Sequence, residues 1–141
     1  MAYGDKKDIG FAGMKADSGD DRVESYAAAG AIPFGRVATA NYAAGTVAIG
    51  GTGTGITVHT HVKPDGYKHK DNAGVMVFGN IWAAIKTGET VTAGSKVKFE
   101  ALTGLIAATG ADLKGAIIVA VETLKDGSKI AQVQLNNPAT L

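Results

Sequence analysis

The chain has 141 residues and a formal net charge of +1, from 14 basic and 13 acidic side chains. That length suits one domain able to bury about 70% of its unfolded surface, and the weak charge argues against a nucleic-acid binder, which needs a concentrated basic face. The sequence has no cysteine, which excludes disulfide frameworks, thiolate nucleophiles and cysteine-based metal sites.

The composition favours strands. Twelve Val, 10 Ile and 13 Thr stand against 6 Leu, and β-branched side chains suit a pleated sheet better than a helix. Twenty glycines punctuate the chain and indicate frequent turns. We therefore expect an all-β sandwich or barrel. The longest apolar runs, 81–85 and 116–121, are far shorter than the ~20 residues of a membrane span. The polar start at 1–8 lacks the apolar core of a signal peptide, so we expect a protein made in a cytoplasm.

The sequence divides near residue 30. Residues 1–30 are rich in aspartate and glycine with isolated apolar side chains, and this pattern predicts an N-terminal arm or edge segment. Residues 31–141 are predicted to form the β-sandwich body. Strands are predicted at 32–38, 46–49, 56–62, 75–78, 81–85, 96–102, 105–108, 116–122 and 129–135.

Turns and helices complete this prediction. A tight turn is expected at Gly79-Asn80 and a hairpin loop at 125–128. Short helical turns are expected at Ser25–Ala29 and Ala111–Lys114.

Three histidines provide the best candidate for chemistry. His59 and His61 lie two apart on a predicted strand, so both imidazoles could bind one metal, with His69 as a third ligand. The spacing from Gly53 resembles the opening of the cupin metal motif. No histidine follows His69 to supply the second cupin motif, and nearby lysines oppose a cation. We therefore expect no metal and no cofactor, with a cupin-like metal protein as an alternative function.

Other candidate sites have simpler interpretations. The glycine-rich stretch 50–55 leads into a strand rather than a Gly-Lys-Ser/Thr helix start, so it predicts a loop and not a phosphate site. Asp20 and Asp21 lack the apolar neighbours that acid–base catalysis by a pair of carboxyl groups requires. No serine lies in a Gly-x-Ser-x-Gly motif. We expect no catalytic residue. Trp82, Phe78 and Tyr67 could stack on a sugar, which leaves a carbohydrate-binding module as a further alternative, although burial is the expected role of Trp82.

The order of several segments carries a family resemblance. Residues 9–19 and 31–37 resemble the opening of the structural cement, or capsid decoration, proteins of tailed bacteriophages. Residues 74–82, 88–91, 96–97 and 130–136 are similar to the remainder of that family, in the same order. The stretch 50–69 has no match in it.

This resemblance implies a jelly-roll-like antiparallel β-sandwich with no catalytic centre. It also implies a protein on the outer surface of a virion, bound across junctions of the major capsid protein and self-associated, with a homodimer favoured over a trimer. We expect no nucleic-acid or membrane partner. The arm would dock on the capsid or a sister subunit by strand addition, with its aspartates facing basic residues. The expected interface residues are Tyr3, Asp5, Asp8, Ile9, Phe11, Asp17, Asp20 and Asp21.

Overall fold

A computed structural model describes residues 10–16, 20–60, 62–63 and 65–140. Within these ranges the chain forms nine strands and one short 3-10 turn, Pro138–Thr140. No helix in the described part of the chain is long and apolar enough to span a bilayer. The strands are β1 (Arg22–Ala28), β2 (Val37–Asn41), β3 (Thr46–Ile49), β4 (Gly55–Thr57), β5 (Asn72–Ala84), β6 (Lys96–Phe99), β7 (Ile106–Ala107), β8 (Ala111–Thr123) and β9 (Lys129–Asn136).

All nine strands join one sheet in the order β1-β3-β2-β4-β5-β9-β8-β6-β7. A further pairing of β1 with β5 closes the first five strands into a small barrel. A bridge between Ile85, just after β5, and Ile106 of β7 brings the other end of the sheet back to β5 as well. The prediction of an all-β fold is confirmed, and the sheet closes like a barrel on both sides of β5. The jelly-roll-like sandwich stays a prediction.

The core lies on both faces of β5, because both faces of this strand are apolar. Met76 and Ile81 point into a large core formed with β2, β4, β6, β8 and β9. Val75 and Val77 point into a smaller core with β1, β2 and β3. Burying one such side chain stabilises the fold by about 1.5–3 kcal/mol. β2 and β4 also contribute to the large core, so they join the two halves together with β5.

Several local predictions are wrong, among them the predicted strand 32–38, which is strand only at 37–38. Ser25–Ala29 and Ala111–Lys114 are not helical, since they lie largely in strands β1 and β8. Their helix-forming alanines are outweighed by pairing with β5 and β6. Gly79-Asn80 is not a turn, since β5 runs through both residues. Gly79 has φ of +119° there, and the added Cβ of any other residue would lie 2.8 Å from Asp21 Cβ. This glycine is required by close packing inside a strand.

The segment assigned to the arm also contains sheet residues. β1 pairs with β5 from Arg22↔Phe78 to Ala27↔Asn72, so the sheet extends across the predicted division at residue 30. The predicted hairpin loop at 125–128 joins β8 to β9, with Gly127 at φ of +88°.

Candidate interaction surfaces

The eight expected interface residues fall into two groups. Phe11, Asp20 and Asp21 are in the described part of the chain. The other five lie outside it: Tyr3, Asp5, Asp8, Ile9 and Asp17. The structure therefore places the expected interface residues of 10–16 and 20–30, and the others stay predictions.

Residues 10–16 run along the edge of β5. Gly13 N–H donates to the Trp82 carbonyl over 2.7 Å, and Trp82 N–H donates to the Met14 carbonyl over 2.9 Å. Ala16 N–H donates to the Asn80 carbonyl over 3.0 Å. Gly10 lies against the indole ring, where an added Cβ would be 2.7 Å from Trp82 Cδ1. This segment covers Trp82, which is 4% exposed and therefore buried as expected.

An aromatic row fixes the same segment to the body. Phe11 meets the ring of His59 edge-on at 4.6 Å between centroids, and His59 meets Phe34 at 4.8 Å. Phe34 in turn contacts Tyr67 at 5.3 Å. The buried Tyr67 hydroxyl donates to the Val58 carbonyl over 2.6 Å, and burial raises its pKa. Phe11 is thus an anchor of the N-terminal segment, with 41% of its surface exposed.

The three histidines have different positions. His59 belongs to the aromatic row, and its backbone N–H donates to the Gly13 carbonyl over 2.9 Å. His69 lies in an exposed turn, while His61 lies outside the described residues. Over the described ranges, no three His, Asp or Glu side chains come together as a metal site.

The lysines near these histidines bind a carboxylate. Asp71 accepts a hydrogen bond from Lys68 N–H over 2.7 Å and forms an ion pair with Lys63 at 3.3 Å. The backbone N–H of Lys68 and then the Lys63 ammonium hold the pKa of Asp71 below its usual value. The Lys63 ammonium is therefore paired with a carboxylate and helps to hold the turn before β5.

Two aromatic side chains considered for sugar stacking are buried, Trp82 and Tyr67. Among the residues that the structure describes, the most exposed aromatic is instead Tyr42, at 64%, in the turn between β2 and β3. Its ring meets Tyr26 edge-on at 6.1 Å, and the Tyr26 hydroxyl donates to Glu24. Burial, and then this hydrogen bond, raise the pKa of Tyr26. Tyr42 was not predicted from the sequence, where its position in a polar turn was the available signal.

One face of the sheet combines exposed apolar and amide side chains. We call it the amide face: the solvent side of β5, β9 and β8, formed by Phe78, Asn80, Gln134, Asn136 and Ile117. Phe78 is 39% exposed and Ile117 47%. A cavity of about 470 Å³ opens between them, and Asp20 forms part of its wall.

A second cavity continues the amide face beyond β8. The register between β6 and β8 jumps from Lys96↔Ile117 to Lys98↔Asp112, so β8 bulges away from its neighbour. The resulting hollow, about 490 Å³, shares Gly115 and Ile117 with the first cavity. Lys96 and Lys114 line it.

Charged groups at the Asp20 end of the amide face differ in their pairing. Asp21 forms an ion pair with Lys15 at 3.2 Å, and Arg22 pairs with Glu24 at 2.8 Å. Within the described ranges, no ion pair involves Asp20. Of the expected interface residues that can be placed, Asp20 lines the cavity of the amide face, Asp21 packs against Gly79 of β5, and Phe11 lies in the aromatic row.

Comparison with known proteins identifies the family. A search of curated proteins finds no match. A chain of the solved structure "The capsid of Myoviridae Phage XM1" matches with a TM-score of 0.72 at 18% identity, covering 96% of this chain and 98% of that chain. At this identity the likeness shows a shared fold.

The family model described as "Structural cement protein (E217 gp24/Pam3 gp6)" matches residues 1–136. These matches give no support to a cupin-like or carbohydrate-binding function. The chain belongs to the structural cement protein family, and its role is to stabilise a phage capsid.

Proposed function

We propose that the protein binds the outer surface of a phage head as a homodimer, across junctions between major capsid protein subunits, and does no catalysis. The observation that carries this proposal is the family match over residues 1–136. We also propose that the halves of the sheet on either side of β5 form a jelly-roll-like sandwich. Synthesis in the host cytoplasm belongs to the same proposal.

Stabilisation would follow from mass action. Packed DNA pushes the subunits of a shell apart, so a protein spanning a junction adds contacts that must break before the subunits separate. A ligand that binds only the assembled arrangement stabilises that arrangement by RT ln(1 + [L]/Kd), so the gain rises with the free concentration of the protein relative to its dissociation constant. Exposed charge pairs contribute about 1 kcal/mol or less each, so many copies and apolar anchors are required.

The proposed arm is the part of residues 1–30 that precedes Gly10. Residues 10–16 already bond to β5, and their removal would uncover Trp82. Residues 1–9 hold Tyr3 and Ile9 as apolar anchors and Asp5 and Asp8 as acids. We propose that this segment docks on the capsid by strand addition, with Asp17 adding negative charge beside it.

The test uses phage shells stripped of the protein. A chain lacking residues 1–9 should lose binding in a co-sedimentation assay while keeping the unfolding temperature of the wild type. It should also fail to raise the temperature at which shells rupture. Binding at wild-type affinity would contradict the proposed arm, and absence of wild-type binding would contradict the proposed function.

A charge variant tests the acids separately. Asp5→Asn with Asp8→Asn should weaken shell binding several-fold, and the loss should shrink at high salt because exposed ion pairs are screened. The matched control, Asp65→Asn with Glu122→Gln, removes the same charge from positions in the body away from the amide face. Equal effects of the two pairs would show a response to net charge alone and would contradict this role of Asp5 and Asp8.

A further inference from the structure

We propose that a second copy of this chain docks face to face on the amide face, about a two-fold axis that lies along β9. This inference rests on the homodimer of the proposed function and assigns it a surface. The occupant is inferred from the arrangement of charges across the face.

The strand registers place four side chains in one transverse row. Asn80 pairs with Gln134, Gln134 with Ile117, and Ile117 with Lys96. Paired residues of neighbouring strands project to the same side of a sheet, so this row runs across the amide face from β5 to β6. Asp20 lies just beyond β5 in the wall of the same cavity, close to Gly79.

The two ends of this row carry opposite charges. Asp20 stands at the β5 end and Lys96 at the β6 end, and both side chains are exposed. No ion pair among the described residues includes either of them. Five positions at about 4.8 Å per strand span about 19 Å, and the middle position is Gln134.

This order of charges along the row allows two copies of the face to pair with each other. A two-fold axis lying along β9 brings Asp20 of each copy over Lys96 of the other, so one contact forms two ion pairs. The Gln134 amides meet at the axis, where each can donate and accept a hydrogen bond. Ile117 of each copy faces the cavity beside Phe78 and Asn80 of the other, which would bury exposed apolar surface from both.

The experiment is charge reversal, read by sedimentation velocity on the full chain. The wild type should sediment as a dimer. Asp20→Lys and Lys96→Asp each place like charges together, so each should raise the dimer dissociation constant by about tenfold or more. The double variant restores opposite charges and should recover most of the affinity. Asp65→Lys, an exposed reversal away from the face, should leave the dimer unchanged.

Three results would overturn the assignment. These are a monomeric wild type at all concentrations, a dimer indifferent to both single reversals, and a double variant no better than the singles. Gln134→Lys gives an independent check, since two ammonium groups at the axis should weaken the dimer.

Shell binding by the same variants separates this inference from the proposed function. Unchanged dimers with lost shell binding would assign the amide face to the capsid and overturn the dimer surface alone. A wild-type chain that does not bind the shells would instead overturn the proposed function.

Discussion

Gly50 shows how single residues set the backbone path. It has φ of +70°, and an added Cβ would lie 1.9 Å from the Ala101 carbonyl oxygen. The loop around it is held in place, because the Thr39 hydroxyl donates to the Gly50 carbonyl and accepts from Gly53 N–H. The glycine-rich stretch is therefore a packed turn that brings β3 to β4.

We expect Gly50→Ala to destabilise the fold strongly. The left-handed backbone costs about 1–2 kcal/mol for any residue with a Cβ, and the clash with Ala101 adds about 1–3 kcal/mol. Gly45→Ala is the matched control, since Gly45 also has φ of +70° but nothing lies within 4 Å of the added Cβ. Urea unfolding measures both, and equal losses of free energy would show that the contact with Ala101 has no cost.

Thr57 carries a buried hydroxyl that both donates and accepts a hydrogen bond with the backbone. Its hydroxyl donates to the Pro33 carbonyl over 2.8 Å and accepts from Arg36 N–H over 3.1 Å. We expect Thr57→Val, which keeps the shape, to cost about 1–3 kcal/mol because two buried backbone groups lose their partner. Thr57→Ser keeps the hydroxyl and should cost less. The order of the two urea midpoints is the measurement, and the reverse order would contradict this role.

At the scale of elements, the sequence predicted best where local chemistry decides the structure. The loop at 125–128 carries its own signal, because Asp126 accepts from Ser128 N–H and Gly127 takes a positive φ. The strands at 46–49 and 129–135 follow from alternating or continuous apolar residues. These features depend on neighbours in the chain.

Predictions failed where contacts with residues distant in the chain determine the local structure. Ser25–Ala29 is helix-like in composition, yet β1 forms because β5 offers it an edge. Gly79-Asn80 looks like a turn, but the packing against Asp21 and a positive φ explain why Gly79 stands inside β5. The row from Asn80 to Lys96 depends on three registers, which the sequence does not encode locally. The amide face could therefore not be predicted, whereas the family could.

One ion pair links two elements and gives a pH prediction. Lys86, after β5, binds Glu100, after β6, over 2.5 Å. The Lys86 ammonium and then the Thr103 hydroxyl lower the pKa of Glu100 from its ordinary 4.5. Because folding favours the carboxylate, its stabilisation is present above pH 4.5 and is lost as the pH falls through the lower folded pKa.

We therefore expect Glu100→Gln to unfold at a lower urea concentration than the wild type at pH 7. The difference should disappear as the pH falls below the folded pKa of Glu100. Glu122→Gln on β8 is the control carboxylate, and its effect should be smaller at pH 7. A Glu100→Gln difference that persists unchanged through the acid range would contradict the ion pair as its cause.

At the scale of the whole molecule, β5 is the element that both halves share. Its first half pairs with β1 and β4, and its second half pairs with β9. Its two faces contribute to the two cores. A half that opened alone would leave one face of β5 exposed to water, so the two halves should unfold together.

Val133→Ala tests this coupling, because Val133 is fully buried in the large core and absent from the small one. The truncation should cost about 2 kcal/mol. Hydrogen exchange should then show the same loss of protection for the slowest amides of β1 and β3, which contribute only to the small core, as for those of β8 and β9. Leu102→Ala, at a position 85% exposed, should change neither set. Unchanged protection in β1 and β3 would mean that the barrel closed by β1 and β5 unfolds independently of the large core.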